Sequence, residues 1–448
     1  MNTQDLLDPE RWAQKTFGPA RLKDIRRTGR AVKAARRMAE NASASLPAQM
    51  QTWKDVMALY RLLDEDDVTF EALMQPHWQQ TREQMEMHPV VLLVQDTTQV
   101  DLSHHPKTTG LGQVGNERGR GLYLQTVLAV QAESGQVMGC AMQEPFVRTP
   151  APQGETRGQR RQRSQRETDV WARLVMRLGR FRPELLVIHV GDRTADLFAF
   201  FEACQATQTH FLVRGMQNRR AYEEHGEATH VLDAIRAWPS QETHPLKVPA
   251  THGRSARCTQ VHLAFGPLSV LPPRNEPGAS TTPLPLWAVR VWEESTPTGE
   301  EPLEWILLTS VPTTTLAEAW ERVEWYKHRW VVEEYHQCLK TGCRLEERQL
   351  QRGERIMRLL GLLSPLAVRL LQLRDLSRQD PQVPASEVFE ADVLAVIAAQ
   401  TGQSPTLMTM EAAWKAVAQM GGSAGPPQRW SSRLENPLEG LASCSNPS

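Results

Sequence analysis

The chain has 448 residues, which is enough for two or three domains and a large core. Its 51 basic and 52 acidic side chains nearly cancel, so net charge neither indicates nor excludes a polyanionic partner. Six scattered cysteines without CxxC spacing exclude a disulfide framework and a zinc ribbon, and they indicate a reducing compartment. The polar, acidic amino terminus is unlike a signal peptide. The most apolar run, residues 356–373, is interrupted by two arginines and a proline and predicts a buried helix pair, not a membrane span.

The first 80 residues predict a small helical module with one strongly basic helix. Residues 21–37 contain eight Lys or Arg side chains and a single acid, Asp24. Four of the eight recur at intervals of four, three and four, on one helix face: Arg26, Arg30, Lys33 and Arg37. Such a stripe suits DNA phosphates and insertion into a major groove, with a solvated basic face as the alternative. The candidate DNA contacts are Arg26, Arg27 and Arg30.

The sequence then changes from a helical period to the pattern of buried strands. Residues 90–94 form a continuous apolar run that leads to Asp96, and residues 185–192 repeat the pattern and end at Asp192. Each run predicts a buried strand of a mixed or parallel sheet. Between them, two apolar stretches joined at Ser134-Gly135 predict an antiparallel hairpin. An aspartate at a strand end is also common as a cap, and Asp196 is an alternative cap beside Asp192.

The remaining segments complete the predicted domain organisation. Residues 148–166 carry a cluster of arginines and predict either a second polyanion contact or a disordered linker. We expect a helical DNA-binding module over residues 1–80 and a catalytic core over residues 81–375. A β-rich insertion is expected within the core at residues 216–301, and a helical carboxyl-terminal region over residues 376–448.

Residues 320–344 predict one long helix with a polar face, because they contain no proline and break only at Gly342. Its four notable side chains are Tyr326, Arg329, Glu333 and Lys340. At roughly 100° per residue, their spacing places all four within an arc of about 60°. For an isolated helix, a solvated charged face is the simpler explanation.

The carboxylates Asp96, Asp192 and Glu333, which we expect to have no His or Cys nearby, indicate a metal centre. Carboxylate oxygens suit Mg²⁺ or Mn²⁺, and two such ions promote in-line attack at a phosphodiester. The order is strand with Asp, hairpin, strand with Asp, helix, insertion, and helix with Glu. This order predicts an α/β fold with a ribonuclease-H-like mixed-sheet core.

The chain resembles the DDE transposases of bacterial insertion sequences, in the IS-four-like group that includes the Tn-five transposase. The most specific similarity is the pattern Y-x2-R-x3-E-x6-K, met by the four side chains of the polar helix face. VQDTT around Asp96, GDRTAD around Asp192, and the segments PLEWILLTS and LKDIRRTGR are also similar to the family. The resemblance extends over residues 10 to 375 in order.

The resemblance implies a role for each site residue. Asp96, Asp192 and Glu333 are implied to hold two divalent ions, Mg²⁺ or Mn²⁺. The side chains implied to contact DNA are Tyr326, Arg329, Lys340, Trp305 and Arg214. Within that set, Trp305 is implied to stack on a base flipped out of the hairpin end; without the family, a core tryptophan in a strand is equally expected.

The resemblance also implies the reaction and the partners. We expect cut-and-paste transposition in the bacterial cytoplasm, at the nucleoid, by nicking, hairpin formation at the element ends and strand transfer. The partners are the terminal inverted repeats, target DNA, and a second copy of the chain in a synaptic dimer. After residue 422 the chain departs from the family into a Pro/Ser-rich tail, where relatives continue into helices used for dimerisation. The resemblance therefore implies that residues 376–448 could be a truncated dimerisation domain, which puts the synaptic dimer in doubt. A catalytically impaired inhibitor from a decaying element, and a structure-directed nuclease on the same core, are therefore the alternatives.

Overall fold

The structure, a computed structural model, describes residues 3–116, 118–148, 167–248, 257–274, 281–294 and 302–379, with scattered positions at 152–159 and 384–416. Six helices precede the first strand: α1 (Thr3–Leu7), α2 (Pro9–Phe17), α3 (Ile25–Glu40), α4 (Leu46–Met50), α5 (Trp53–Asp64) and α6 (Phe70–Met85). The later helices are α7 (Asp169–Leu178), α8 (Phe198–Ala206), α9 (Val231–Ala237), α10 (Leu316–Lys327), α11 (Val331–Gln337) and α12 (Gly353–Gln379).

The strands of the described residues form one mixed sheet. They are β1 (Val90–Asp101), β2 (Gly112–Gln113), β3 (Arg120–Gln131), β4 (Val137–Phe146), β5 (Leu186–Gly191), β6 (His210–Arg214), β7 (Arg220–Tyr222), β8 (Ala228–His230), β9 (Glu242–Val248), β10 (Arg257–Val270), β11 (Leu284–Glu293) and β12 (Glu304–Thr309).

The amino-terminal helices begin where the sequence supplies capping side chains. Each of α2 to α6 is preceded by a residue whose side chain accepts a backbone N–H of the first turn: Asp8, Asp24, Ser45, Thr52 and Thr69. Helix α3 buries only small or flexible residues, namely Ala31, Ala34, Ala35 and Met38. The basic side chains are left on its other faces, as the sequence predicted.

The centre of the sheet has the strand order of a ribonuclease-H-like core, which confirms the predicted fold. Strands β4, β3 and β1 are antiparallel neighbours, and the β3–β4 pair is the predicted hairpin. Strands β5 and β6 continue the sheet beside β1, parallel to it. Strand β12 then pairs antiparallel with β6, and β11, β10 and β9 follow. The segment expected to be β-rich therefore extends the central sheet, while the predicted domain boundaries stay predictions.

Helices cover both faces of the sheet, so alternate residues of its central strands enter two different cores. Leu92 and Val94 of β1 and Val190 of β5 pack with the amino-terminal helices, α11 and α12. Leu93 of β1 and Val187 of β5 pack on the other side with α7 and α8. This alternation decides which face any residue at the end of β1 or β5 lies on.

The apolar run near residue 360 forms a single helix, so the predicted helix pair is wrong. Helix α12 continues through Pro365. It packs closely on α6 at Gly361, where an added Cβ would lie 2.9 Å from Leu73 Cβ. Its segment Gly353–Leu376 is long and apolar enough to cross a membrane by composition, but 78% of the apolar window is buried inside the protein. It is therefore a core helix, and helix packing on both sides of the proline explains why it does not break there.

The predicted long helix of residues 320–344 is helical but not uniformly α-helical. Helix α10 leads into a 3₁₀ turn at His328–Trp330, helix α11 follows, and a π-helical turn spans Cys338–Gly342. These turns wind the chain first more tightly and then more loosely than an α-helix. The regular spacing of about 100° per residue therefore does not hold along the whole polar face. The helical path ends near Arg344, which has a left-handed backbone.

Candidate active site

Asp96 and Asp192 lie side by side where the parallel pairing of β1 with β5 ends. Strand β1 itself continues to Asp101, so the expectation that this strand ends at Asp96 is wrong. Parallel pairing of β1 and β5 aligns Val94 with Val190, so Asp96 and Asp192 each follow two residues beyond an aligned pair. Hydrogen-bonded neighbouring strands lie about 4.8 Å apart, and residues two positions apart along a strand are on the same face of the sheet. Because Val94 and Val190 belong to the core that α11 covers, both aspartates are directed toward α11.

Glu333, in the first turn of α11, completes a cluster of three interacting carboxylates. Burial raises the pKa of Asp96 to about 7, and the negative charges of Asp192 and Glu333 contribute to that rise. Burial also raises the pKa of Glu333; Arg329 opposes this effect and Asp192 adds to it. The fold therefore brings together the three acids that were predicted from the sequence. We call Asp96, Asp192 and Glu333 the carboxylate cluster.

Each member of the carboxylate cluster has a local partner. Asp96 Oδ1 accepts from the backbone N–H of Thr97 at 2.8 Å, and Asp192 Oδ1 accepts from that of Thr194 at 2.8 Å. Asp192 thus also caps the short turn after β5. Asp196, the alternative cap, is fully buried instead; its carboxylate accepts backbone N–H groups after β6 and pairs with Arg219.

The donor set of the carboxylate cluster fits a hard divalent cation. Neighbouring carboxylates whose negative charges raise the pKa of Asp96 and of Glu333 are stabilised by such an ion, and oxygen is the ligand that Mg²⁺ and Mn²⁺ prefer. Within the described ranges, however, no three Asp, Glu, His or Cys side chains are arranged as a metal site. Glu333 instead accepts a hydrogen bond from Arg329, Nη1 to Oε1, at 2.9 Å. The ligand chemistry is present, with one ligand engaged in an ion pair.

Arg329 lies between Glu333 of the carboxylate cluster and two aromatic rings, those of Trp330 and Tyr326. It is 7% exposed, and its guanidinium lies 4.6 Å from the ring centroid of Trp330 and 5.9 Å from that of Tyr326. Burial raises the pKa of Tyr326 to about 12, so its phenol keeps its proton at neutral pH. Tyr326, Arg329 and Glu333 are therefore neighbours, as their spacing predicted.

Arg214 adds a second guanidinium to this side of the site, and Arg193 adds a third. Arg214 donates from Nη2 to the backbone carbonyl of Glu304 at 2.8 Å. Burial lowers the pKa of Arg214, and the positive charges of Arg193 and Arg329 lower it further. Arg193 is exposed and directly follows Asp192, yet the sequence analysis did not select it. Its position in GDRTAD was the available signal.

Lys340, on the π-helical turn, approaches the carboxylate cluster from the other side. Burial lowers its pKa, while Glu346, Asp101 and Asp96 favour its charged form. Its Nζ lies 3.9 Å from Glu346 Oε1. Lys340 is thus within electrostatic reach of Asp96, as a phosphate-binding role requires.

Trp305 is close to the site but buried. It lies on β12, is 6% exposed, and meets the ring of Tyr326 edge-on with centroids 5.0 Å apart. Stacking on a flipped base stays a prediction, and it would require the indole to become accessible. Because the two rings are in contact, a movement of Trp305 would also displace Tyr326 on the polar helix face.

A histidine lies beside the carboxylate cluster, so the expectation that no His is nearby is wrong. His336 Nδ1 lies 3.9 Å from Asp96 Oδ2, and Nε2 lies 3.0 Å from Thr126 Oγ1. Burial lowers the pKa of His336 to about 3, so the ring is neutral. The spacing of three residues from Glu333 places both on one helix face and could have identified it.

Acidic side chains neutralise more of the positive charge of the basic stripe on α3 than its local sequence suggested. Arg26 pairs with Asp24, and Arg27 pairs with Glu65 and with Asp67 at 2.9 Å. Lys33, Arg36 and Arg37 also have acidic partners. Arg30 is exposed. A count within residues 21–37 missed these acids, because folding brings them in from α2, from the first turn of α5 and from the residues after α5.

Other predicted features fall outside the described residues. The loop arginines Arg157, Arg160, Arg161, Arg163 and Arg166, and the tail after residue 422, belong to this group.

Two segments of the chain match known domain families. Residues 9–68 match the Transposase DNA-binding family, and residues 159–370 match the Transposase DDE domain family. The first match contains the basic helix α3, and the second contains Asp192, Glu333 and the rest of the polar helix face. Asp96 precedes the second match and joins the site through the pairing of β1 with β5. These two segments of the chain are therefore similar to a transposase DNA-binding domain and to a transposase DDE domain.

Proposed function

We propose that this protein is a DNA transposase of the IS-four-like group, resembling the Tn-five transposase, that moves an element by cutting and pasting. The observation that supports this most strongly is the carboxylate cluster, which lies where the parallel pairing of β1 with β5 ends. It adjoins a cationic rim of Arg214, Arg329 and Lys340, within a chain that matches both transposase domain families.

In this proposal Asp96, Asp192 and Glu333 hold Mg²⁺ or Mn²⁺, with two ions expected. When bound, the ions activate the attacking oxygen and stabilise the leaving oxygen at a phosphodiester. The carboxylate cluster supplies the negative charge and the oxygen donors that retain them. Its partial burial limits competition from bulk water.

The cationic rim positions the scissile strand. Arg329 and Arg214 present guanidinium groups, which match phosphate geometry, and Lys340 presents a point charge. Tyr326 keeps its phenolic proton and can donate it to a phosphate oxygen. Since Arg329 is paired with Glu333, a phosphate that binds Arg329 releases Glu333 to act as a ligand.

The reaction that we propose has two kinds of step. Hydrolysis breaks one phosphodiester at the element end and leaves a 3′-hydroxyl. That hydroxyl then attacks the opposite strand, so that one phosphodiester forms as another breaks and the end closes as a hairpin. Opening of the hairpin and attack of the freed end on target DNA complete the transfer. The protein acts as a dimer in the bacterial cytoplasm, at the nucleoid.

The test uses purified protein, Mg²⁺, and duplex DNA that carries the inverted repeats flanking the gene. Denaturing gels should show a nick, a hairpin end and joined products, all absent in EDTA and with Asp192→Asn. End binding without cleavage, in a preparation that contains dimers, would contradict the proposal and support an inhibitor. Cleavage without joined products would support a nuclease.

A further inference from the structure

A chain of buried hydrogen bonds connects helix α12 to Asp96. In order from α12, its members are Ser364, Tyr335, Gln143, Thr126 and His336. All five are at most 5% exposed, so bulk solvent does not reach them. They come from α12, α11, β4 and β3, and thus tie both helices to the sheet below the carboxylate cluster.

The direction of donation along this chain is set by Gln143, whose Nε2 is directed at the hydroxyls of both Tyr335 and Thr126. The carbonyl of Ser364 can only accept, and the Tyr335 hydroxyl lies 3.4 Å from it. Tyr335 therefore donates its proton there, and its oxygen accepts from Gln143 Nε2 at 3.1 Å. The same amide nitrogen donates to Thr126 Oγ1 at 2.9 Å.

The proton of Thr126 then determines the tautomer of His336. A buried hydroxyl needs an acceptor, and Gln143 Nε2 is a donor. The acceptor for Thr126 is therefore His336 Nε2, 3.0 Å away. A neutral imidazole that accepts at Nε2 carries its proton on Nδ1. That N–H lies on the side of Asp96 Oδ2, at 3.9 Å.

We propose that His336 is a positioning residue for Asp96, which it steadies through Nδ1–H in the tautomer imposed by Thr126. The inference rests on the proposed function, because it assigns Asp96 to the metal centre. Asp96 Oδ1 is already held by the Thr97 N–H, so His336 acts on the other oxygen. Asp192 and Glu333 repel this carboxylate, whereas the Nδ1–H dipole of His336, 3.9 Å from Oδ2, attracts it and opposes its rotation away from the cluster. Groups that orient a metal ligand typically change metal affinity by about 10- to 100-fold when removed.

The test compares two replacements that each keep one ring nitrogen. Asparagine at position 336 places an amide N–H near the position of Nδ1, whereas glutamine places its amide near Nε2. We expect His336→Gln to weaken Mn²⁺ binding at least about tenfold, and His336→Asn to stay close to wild type. Mn²⁺ affinity is measured by electron paramagnetic resonance on the complex of the full chain with end DNA, without turnover. Thr126→Val should act like His336→Gln, and Thr126→Ser like wild type.

The control for damage to the core is His189→Asn. His189 is also fully buried and bonds Gln95 at 2.7 Å, and it should not affect Mn²⁺ affinity. Equal Mn²⁺ affinities for the Gln and Asn variants, or for the Val and Ser variants, would overturn the role of His336 alone. Absence of Mn²⁺ binding by the wild-type complex would overturn the metal centre itself, and the positioning role with it.

Discussion

Replacing Glu333 by glutamine separates its two roles, as partner of Arg329 and as metal ligand. Glutamine has nearly the same shape and can still accept the 2.9 Å hydrogen bond from Arg329 Nη1, but it carries no charge. Two unit charges about 4 Å apart interact by about 4 kcal/mol at an effective dielectric constant of 20. Because Glu333 is 29% exposed, solvent screens its charge. We therefore expect only about a third of this 4 kcal/mol repulsion to act on a phosphate bound at Arg329.

The expected effect on DNA binding is therefore a gain. Without Mg²⁺, Glu333→Gln should bind end DNA about tenfold more tightly, which corresponds to about 1.4 kcal/mol. Cleavage in Mg²⁺ should fall below about one hundredth of wild type, because a ligand is lost. Affinity is measured by fluorescence anisotropy in EDTA at low salt, and cleavage by denaturing gel.

Glu334→Gln is the matched control for this experiment. Glu334 is the next residue of α11, but it pairs with Arg374, with Nη1 and Oε2 2.8 Å apart. The control should keep wild-type affinity and cleavage. Unchanged or weaker DNA binding by Glu333→Gln, with Glu334→Gln at wild-type level, would refute the competition between Glu333 and phosphate for Arg329.

Three further predictions concern acid stability and DNA contacts. Burial lowers the pKa of His77 from 6.5 to about 4, so between these pH values the unfolded state binds more protons. The contribution of His77 to the free energy of unfolding is then fully present above pH 6.5 and is lost as the pH drops, by up to about 3 kcal/mol. Urea unfolding of His77→Gln should lack this pH-dependent loss, and the same pH dependence as wild type would contradict the prediction. Arg30→Ala should reduce the salt dependence of DNA binding by about one unit of slope, whereas Arg182→Ala, an exposed arginine before β5, should leave it unchanged; equal slopes would exclude Arg30 as a phosphate contact. Arg193→Ala should weaken end binding in EDTA about tenfold, and wild-type affinity would exclude Arg193 as a DNA contact.

The parts of the site that follow from local periodicity were predictable from the sequence. The apolar runs before Asp96 and Asp192 require buried strands, and a parallel pairing of such strands brings their ends together. The spacing from Tyr326 to Glu333 brings those side chains to one helix face even across a 3₁₀ turn. His336 obeys the same spacing but was passed over, because the expected metal site contained only oxygen ligands.

The parts that depend on distant segments were not predictable. Arg27 pairs with acids 38 and 40 residues away, so a local count of charges on α3 overestimated its free positive charge. Helix α12 continues through Pro365 because packing on both sides outweighs the local break.

The central claim is that Asp96, Asp192 and Glu333 form one divalent-metal centre when DNA is bound. Anomalous X-ray scattering at the manganese edge, from crystals of the full chain with end DNA and Mn²⁺, tests it most directly. We expect manganese peaks bounded by these three carboxylates, with Arg329 moved from Glu333 to a phosphate. Manganese peaks elsewhere, or none at the carboxylate cluster in a complex that cleaves its DNA on addition of Mg²⁺, would contradict the account.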